Sequence, residues 1–161
     1  MVPFTDAGEM LRISKLTDYG TVVMTYLARE QGRLHAVSEI AAAVSVAAPT
    51  VSKILKQLVR EGLVISHRGA RGGYALARPA EEISMIEIID ALEGRVGLTE
   101  CGSSPGLCAQ ESACSIRANW QRLNGAVRDA LAGVTLAEMA EPALPPRSGT
   151  PVKFYARRAS A

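Results

Sequence analysis

The stretch SEIAAAVSVAAPTVSKILKQLVREGLV, residues 38–64, decides the fold. Its first part predicts a short helix, because Ser38 is a typical N-cap and the next apolar residues share one helical face. Those residues are Ile40, Ala41 and Val44. A brief break at 45–48 follows, and Pro49 then suits the first turn of another helix, where its missing N–H costs nothing. The stretch therefore predicts two helices joined by a tight turn.

The second of these helices has two distinct faces. Its apolar stripe faces a core and comprises Val51, Ile54, Leu55, Leu58 and Val59. Its outward face is polar and basic and comprises Thr50, Ser52, Lys53, Lys56, Gln57 and Arg60. Two short helices in this order are typical of a helix-turn-helix, and the alternative is a helical hairpin with a solvated basic face.

The following segment favours the helix-turn-helix. Residues Leu63–Ser66 and Tyr74–Ala77 predict two short strands, and HRGARGG at 67–73 predicts a glycine-rich turn between them. Arg68 or Arg71 in this turn could reach a minor groove, whose negative potential attracts guanidinium groups. A hairpin of this kind directly after a helix-turn-helix is typical of the wing of a winged helix.

Further helices flank this unit. Apolar spacing predicts a first helix over Thr17–Glu30, with a stripe of Leu16, Tyr19, Val22, Val23, Tyr26 and Leu27. A capping box at Ser84 predicts a fourth helix that ends at Gly94 and buries Ile86, Ile89 and Leu92. A second capping box, at Thr135, predicts a short terminal helix.

A long helix is predicted over Ser115–Ala132. Its apolar residues alternate four and three apart, and they are Ile116, Trp120, Leu123, Val127, Ala130 and Leu131. This narrow seam is typical of coiled coils and favours packing against a second subunit, with an ordinary core helix as the alternative. The predicted fold is therefore mainly α, a winged helix-turn-helix with a small β-hairpin wing and a long C-terminal dimerisation helix.

The three cysteines of the chain, Cys101, Cys108 and Cys114, all lie in CGSSPGLCAQESAC, which we call the cysteine loop (residues 101–114). Three thiolates so close in sequence can converge on one soft metal centre, either zinc or an iron–sulfur cluster. Unrelated free thiols in a core are the alternative, but a polar loop rich in glycine and proline is not typical of a core segment.

Composition adds three expectations. The net charge of +2 conceals an asymmetry, because residues 45–78 carry six basic residues and one acid, whereas residues 81–114 carry seven acids and one arginine. The first of these segments suits a polyanion. No apolar run is long enough to span a bilayer and no secretory signal opens the chain, so we expect a cytoplasmic protein with reduced thiols and no membrane partner. No nucleophile–base constellation is evident, so the chain is not predicted to be an enzyme.

Four features together resemble a known family, the iron–sulfur winged-helix regulators that include IscR and NsrR. They are LRISKLTDYG at 11–20, the stretch at 38–64, RGARGGYALARP at 68–79, and the three cysteines before a long helix. The resemblance covers about Met10 to Met139, and within the family the chain is most similar to the regulator of the SUF iron–sulfur assembly operon. It implies a repressor of iron–sulfur assembly genes that senses cluster status. The alternative is a zinc-bound or thiol-based redox sensor of the same fold.

The resemblance also implies a homodimer crossed through its long helices that binds a palindromic operator in double-stranded DNA. Cys101, Cys108 and Cys114 would hold a cluster near the dimer interface, [2Fe-2S] rather than [4Fe-4S]. The histidine that IscR uses as its fourth ligand is replaced here by Arg117, and the two histidines, His35 and His67, fall in the DNA-binding half. The partner-subunit aspartate that NsrR uses matches Asp18, with Glu100 and Glu111 as alternatives.

DNA contacts implied by the family fall on Thr50, Ser52, Lys53 and Arg68. Side-chain chemistry favours Lys15, Tyr19, Lys56 and Arg60 as phosphate contacts. The predicted organisation is an unstructured start (1–9), a winged helix-turn-helix domain (10–80), a region of cluster-binding loop and dimerisation helices (81–140) and a disordered basic tail (141–161).

Overall fold

The computed structural model describes residues 13–95, 97–99, 102, 106, 108–110 and 112–142. The predicted unstructured start and most of the predicted basic tail lie outside these residues. Within them the chain forms, in order, α1 (Lys15–Arg29), α2 (Val37–Val44), α3 (Ala48–Arg60), β1 (Val64–His67), β2 (Gly73–Leu76), a 3-10 turn (Ala80–Glu82), α4 (Met85–Glu93), α5 (Arg117–Ala132) and α6 (Leu136–Ala140).

Helix α1 begins earlier than predicted because Ser14 is its N-cap, with a side-chain oxygen that accepts from the Thr17 N–H at 3.3 Å. Its predicted apolar stripe is wrong in part, since Tyr19 and Val22 are exposed. The face that packs inward instead includes Gly20, whose Cα lies against the Leu92 side chain of α4 with no room for a Cβ. Close packing on α4 therefore rotates α1 away from its most apolar stripe.

Helices α2 and α3 form the predicted helix-turn-helix, with a bend of 114° between them. The prediction of Ser38 as the N-cap of α2 is wrong, because the helix starts at Val37 and the Ala36 carbonyl accepts the first intrahelical bond, from the Ile40 N–H. The turn contains Ser45 in the left-handed region, at φ 55°. The predicted inward stripe of α3 is confirmed, since Val51, Ile54, Leu55 and Leu58 are fully buried and Val59 is half-buried.

The wing (residues 64–76) is an antiparallel hairpin in which Val64 pairs with Leu76 and His67 with Gly73. Both strands are shifted by one residue from their predicted bounds. His35 adds to this sheet, because its backbone N–H and carbonyl each bond Tyr74 at 2.9 Å. A Cβ at Gly73 would lie 2.7 Å from the His35 carbonyl oxygen, so this close approach requires glycine. The wing is thereby attached to the segment between α1 and α2.

Helix α4 is buried on more than the predicted face. Its capping box and its end at Gly94 are confirmed, and Ile86, Ile89 and Leu92 are buried as expected. Met85, Ile88 and Ala91 are buried too, because α4 packs against α1 and α3 on one side and against α5 on another. Sequence periodicity predicted only the face of α4 that carries Ile86, Ile89 and Leu92.

Residues 94–134 form an excursion that leaves the C-terminal end of α4 and returns to its N-terminal end. The return is fixed by the Met85 N–H, which donates to the Val134 carbonyl at 2.9 Å, and by the Leu136 N–H, which donates to Ile83 at 2.7 Å. Leu136 is fully buried in the core shared with α1 and α4, so α6 completes that core. Residues before and after position 80 therefore contribute to one core. The domain boundary predicted at residue 80 stays a prediction.

Helix α5 starts at Arg117, two residues later than predicted, and the capping box at the start of α6 is confirmed. Among the described residues, no single helix is long and apolar enough to cross a membrane, and only the bent α2–α3 pair reaches the length and composition of a broken span.

Candidate nucleic-acid interface and cysteine loop

The outward face of α3 carries three exposed cations, Lys53, Lys56 and Arg60, beside half-buried Thr50 and Ser52. An open concavity of about 540 Å³ runs along this face, lined by Pro49, Ser52, Lys53, Lys56, Gln57 and Arg60. Arg60 pairs with Glu61 at 3.1 Å, but both side chains are well exposed, so water and salt screen the pair and Arg60 remains accessible to an anion. The face combines hydrogen-bonding groups with positive charge.

Gln57 has a role that the sequence did not suggest. Its Nε2 donates to the carbonyl oxygens of Ala91 at 2.8 Å and Leu92 at 3.2 Å, near the C-terminal end of α4. Carbonyls in the last turn of a helix lack intrahelical donors, so this side chain caps α4. Gln57 therefore fixes α3 to the end of α4 at which the excursion begins.

The turn of the wing presents Arg68 and Arg71, both exposed, and the Gly72 N–H closes the turn on the Gly69 carbonyl at 2.9 Å. Arg78 behaves differently from the other cations of residues 45–78. Its guanidinium donates to Glu87 Oε1 at 2.7 Å and to the Glu82 carbonyl at 3.0 Å. Burial alone would raise the pKa of Glu87, but hydrogen bonds from Ser84 and Arg78 outweigh it and lower that pKa. Arg78 is thus committed to the fold.

His35 is also structural, although it falls in the half of the chain that is predicted to bind DNA. It is 1% exposed, and its Nε2 donates to the Glu30 carbonyl at 2.8 Å. Its Nδ1 faces the Tyr26 hydroxyl at 3.3 Å and the Glu39 carboxylate at 3.4 Å. His67, in contrast, is an exposed residue at the end of β1.

Glu39 closes this buried group from the solvent side. Its carboxylate accepts from the Arg33 guanidinium, with one bond at 3.1 Å, and these bonds lower the pKa of Glu39 to about 2. Burial of the Tyr26 hydroxyl, followed by the Glu39 charge, raises the pKa of Tyr26. The group holds the base of the wing against α1.

The first turn of α1 carries Lys15, Asp18 and Tyr19, all of them exposed. This turn is anchored to α4 by Glu93, whose Oε1 accepts from the Ser14 N–H at 2.9 Å and the Thr17 hydroxyl at 2.7 Å. These hydrogen bonds, with Ser14 first, lower the pKa of Glu93. Asp18 therefore lies on a turn that is fixed to the start of the excursion.

In the cysteine loop the structure describes Cys108 and Cys114 as free, half-buried thiols. Cys101, Glu100 and Glu111 lie outside the described residues. Within the part of the chain that is described, no three His, Cys, Asp or Glu side chains come together as a metal site. Two accessible thiols are donors of the kind that zinc and iron–sulfur centres take, so the donor chemistry fits a soft metal.

Asn124 is a second residue that sequence reasoning missed. It is 8% exposed, and its amide bonds both Leu98 and Gly102, on either side of Cys101. One turn further along α5, Arg128 makes a two-pronged salt bridge to Asp90 of α4, at 3.0 and 2.5 Å. Polar contacts thus attach α5 to its own subunit. Two residues of its predicted apolar seam, Ile116 and Leu123, are 51% and 53% exposed.

Comparison with known proteins gives a consistent result. The family model described as "Rrf2: Iron-dependent Transcriptional regulator" matches residues 13–142. A Mycobacterium tuberculosis protein named as an HTH-type transcriptional regulator is 31% identical over 136 residues, which is 84% of this chain and 84% of that protein.

Two solved structures have the same fold. The oxidized form of Staphylococcus aureus CymR has a TM-score of 0.60 and 34% identity, and the match covers 84% of this chain and all of that one. T. potens IscR has a TM-score of 0.59 and 28% identity, over 80% of this chain and 85% of that one. These likenesses confirm the predicted mainly α, winged helix-turn-helix fold.

Proposed function

Because the chain belongs to the Rrf2 family of transcriptional regulators, we propose that it is a homodimeric repressor of iron–sulfur assembly genes that senses cluster status. Members of this family are DNA-binding regulators of the helix-turn-helix type and not enzymes. The observation that carries the proposal is the exposed basic face of α3, together with the exposed arginines of the wing, in a chain that also carries three cysteines in one loop. A cytoplasmic location accords with this function.

DNA binding is assigned to α3 and the wing. Thr50, Ser52 and Lys53 lie at the start of α3, where side chains of a helix-turn-helix meet base edges. Arg68 and Arg71 suit a minor groove, because the turn between them is narrow and exposed. Phosphate contacts fall to the remaining cations and to a hydroxyl on α1, and these residues are Lys15, Tyr19, Lys56 and Arg60.

Dimerisation is assigned to α5. The helix is attached to its own subunit through Asn124 and Arg128, while Ile116 and Leu123 of its apolar seam are exposed and Trp120, Val127 and Leu131 are half-buried. Exposed leucine and isoleucine at coiled-coil spacing are stabilised when the same helix of a second copy covers them. A two-fold dimer built in this way presents two winged helices to a palindromic operator.

Metal binding is assigned to Cys101, Cys108 and Cys114, with Asp18 of the partner subunit as the fourth ligand and Glu100 and Glu111 as alternatives. A [2Fe-2S] cluster, which we favour over [4Fe-4S], would supply a centre whose occupancy follows the supply of iron and sulfide. The half-buried free thiols of Cys108 and Cys114 support this assignment. In a ligand set of three thiolates and one carboxylate, the bond to the carboxylate is the weak one.

The contacts of this chain connect that loop with the DNA-binding face. The excursion begins at Gly94, directly after Glu93, which holds the first turn of α1. The neighbouring carbonyls of Ala91 and Leu92 hold Gln57 of α3. A rearrangement of the cysteine loop that moves the C-terminal end of α4 would therefore displace both α1 and α3. Since half-sites must match the spacing of two winged helices, a small displacement costs affinity.

The test compares metal-bound with metal-free protein. Anaerobically purified protein should be coloured and contain iron and sulfide. Its operator affinity should differ from that of the apo form by about 5- to 150-fold, the usual range of allosteric coupling. Asp18→Ala should shorten the lifetime of the cluster, and an unchanged spectrum and lifetime would remove Asp18 from the ligand set. Equal operator affinities with equal salt dependence would contradict cluster sensing.

A thiol-based or zinc-bound sensor is the second candidate. It is favoured by the similarity to CymR, of which an oxidized form is known, and by the two free thiols in the described part of the cysteine loop. Thiolates are the reactive form, and oxidation to sulfenic acid or disulfide is reversible. Colourless protein, with or without zinc, whose operator affinity changes with peroxide and recovers with a thiol reductant would favour this candidate.

A further inference from the structure

Asn124 is the one residue of α5 that is buried among those described, and its side chain meets the beginning of the cysteine loop. The Leu98 N–H donates to its Oδ1 at 3.1 Å, and its Nδ2 donates to the Gly102 carbonyl at 3.2 Å. The Gly102 N–H in turn donates to the Thr99 carbonyl at 2.9 Å. The backbone is therefore held at Leu98 and at Gly102, which precede and follow Cys101 in the sequence.

Only an amide suits this position. The loop offers a donor at Leu98 and an acceptor at Gly102, so the side chain between them needs an acceptor and a donor attached to the same carbon. Aspartate supplies acceptors alone and leucine supplies neither, and each would leave a partly buried backbone group without its bond. Gly102 completes the fit, because a Cβ there would lie 3.2 Å from Asn124 Cγ.

Asn124 also rests on a fixed support. Arg128 lies one turn further along the same helix, and its two bonds to Asp90 hold α5 against α4. The amide therefore connects the loop to a helix that is itself anchored to the core. A contact of this kind orients the groups that bind a metal without binding the metal itself.

We propose that Asn124 is the positioning residue of the cysteine loop, because its amide binds Leu98 and Gly102 and so restrains the backbone next to Cys101, a metal ligand in the proposed function. The inference rests on the proposed function for the identity of that centre. The two hydrogen bonds of Asn124 are within the chain itself, so metal-free protein can be used to test them.

The first test uses reduced, metal-free, full-length protein. Asn124→Leu keeps the branched shape and removes both hydrogen-bonding partners, and Asn119→Leu is the matched control at an exposed asparagine of the same helix. Hydrogen exchange at the Leu98 amide and alkylation of Cys101 should each become at least about fivefold faster in Asn124→Leu, as expected for a lost hydrogen bond. The Cys114 alkylation rate and the control should stay within about twofold of the wild type, a margin below the effect of one such bond.

A second variant separates the effects of the two hydrogen bonds of Asn124. Asn124→Asp retains an acceptor for the Leu98 N–H but loses the donor to Gly102, so the Leu98 amide should remain slow to exchange. The Gly102 amide, which donates to the Thr99 carbonyl, should exchange faster because the Gly102 carbonyl has lost its donor. Fast exchange at Leu98 in this variant would show that the Oδ1 contact does not protect the amide, and the inference would fail.

The metal-bound form provides the final measurement. Loss of an outer-shell hydrogen bond weakens metal sites by about 10- to 100-fold, so the cluster lifetime in the presence of a chelator should shorten by at least about tenfold in Asn124→Leu. An unchanged lifetime, or an equal rise in alkylation of all three cysteines with a lower thermal midpoint, would overturn the inference. If wild-type protein contained no iron, the proposed cluster would instead be overturned. The alkylation rates would still decide whether Asn124 positions the cysteine loop.

Discussion

Single polar residues, rather than apolar ones, hold the functional parts of this molecule in place. Gln57 joins α3 to α4, Glu93 joins α4 to the first turn of α1, and Glu39 covers the buried His35 beneath the wing. Each of them makes two or more hydrogen bonds to groups from another part of the chain. Because such bonds are directional, they fix orientation where apolar packing would tolerate sliding.

The Arg33–Glu39 pair gives a prediction at this scale. The low pKa of Glu39, about 2, arises chiefly from the Arg33 guanidinium. Arg33→Gln should therefore raise that pKa towards the ordinary value of 4.5, measurable by NMR titration of the Glu39 carboxyl carbon. Arg71→Gln, in the turn of the wing, is the control and should leave it unchanged.

The pH dependence follows from the same shift. A carboxyl whose pKa is lowered in the folded state stabilises the fold fully above its unfolded pKa of 4.5, and that contribution is lost as the pH falls towards about 2. In Arg33→Gln, Glu39 should no longer contribute to a loss of stability as the pH falls from 4.5 to about 2. A Glu39 pKa that stays near 2 in the variant would assign the shift to His35 or the backbone instead.

At the scale of elements, the wing is more firmly attached than its short strands suggest. Two backbone hydrogen bonds between His35 and Tyr74 make the segment before α2 a third member of the sheet. An isolated two-stranded hairpin is marginally stable in water, so this added pairing and the burial of Val64 together hold the wing against the core. The arginines of the wing are thereby placed relative to α3.

Two glycine substitutions test this attachment. Gly73→Ala places a Cβ 2.7 Å from the His35 carbonyl oxygen, so it should lower the free energy of unfolding by about 1–3 kcal/mol and weaken operator binding. Gly125→Ala is the matched control in α5, where a Cβ meets nothing within 4 Å, and it should raise that free energy by about 0.5–1 kcal/mol. Urea unfolding and DNA titration measure both. Equal stabilities for the two variants would mean that the wing accommodates the added methyl group without a loss of stability.

For the whole molecule, the excursion from residue 94 to residue 134 gives α5 an unusual orientation. Its one buried residue among those described is the polar Asn124, and Arg128 binds Asp90 of α4, whereas Leu123 and the N-cap residue Ile116 are exposed and the other large apolar residues are half-buried. An ordinary surface helix has the opposite arrangement. This reversal is the physical basis for the homodimer that we propose.

Leu123→Glu should separate the two subunits. A carboxylate in an apolar seam would lose its water without gaining a partner, so dimer affinity should fall by at least about a hundredfold. Sedimentation velocity should then show a monomer whose circular dichroism matches that of the wild type. Gln121→Glu adds the same charge at an exposed position of α5 and should remain dimeric. A dimeric Leu123→Glu protein would place the interface elsewhere.

Local signals predicted most of the fold. The stripe of α3, the capping boxes at Ser84 and Thr135 and the turn of the wing all depend on residues close in sequence, and the structure confirms them. The N-cap of α2 was wrong because an isolated serine carries no information about where the chain turns. The second buried face of α4 was missed because α5, which covers it, follows a long loop.

The candidate site was only partly predictable for the same reason. Charge and glycine content identified the cations of α3 and the wing, but nothing local distinguished Arg78, which turns back to Glu87, from Arg71, which does not. The roles of Gln57 and Asn124 depend on partners more than twenty residues away. How Cys101, Cys108 and Cys114 are arranged relative to Asp18 stays a prediction.

The full burial of Leu136 has a consequence for biosynthesis. A ribosome makes the helices of the DNA-reading unit first and the excursion next, and the side chain that closes the core emerges only afterwards. The nascent reading unit is therefore incomplete while α5 is being translated. The chain gains its finished operator-binding surface only after the helix that we assign to subunit pairing has been synthesised.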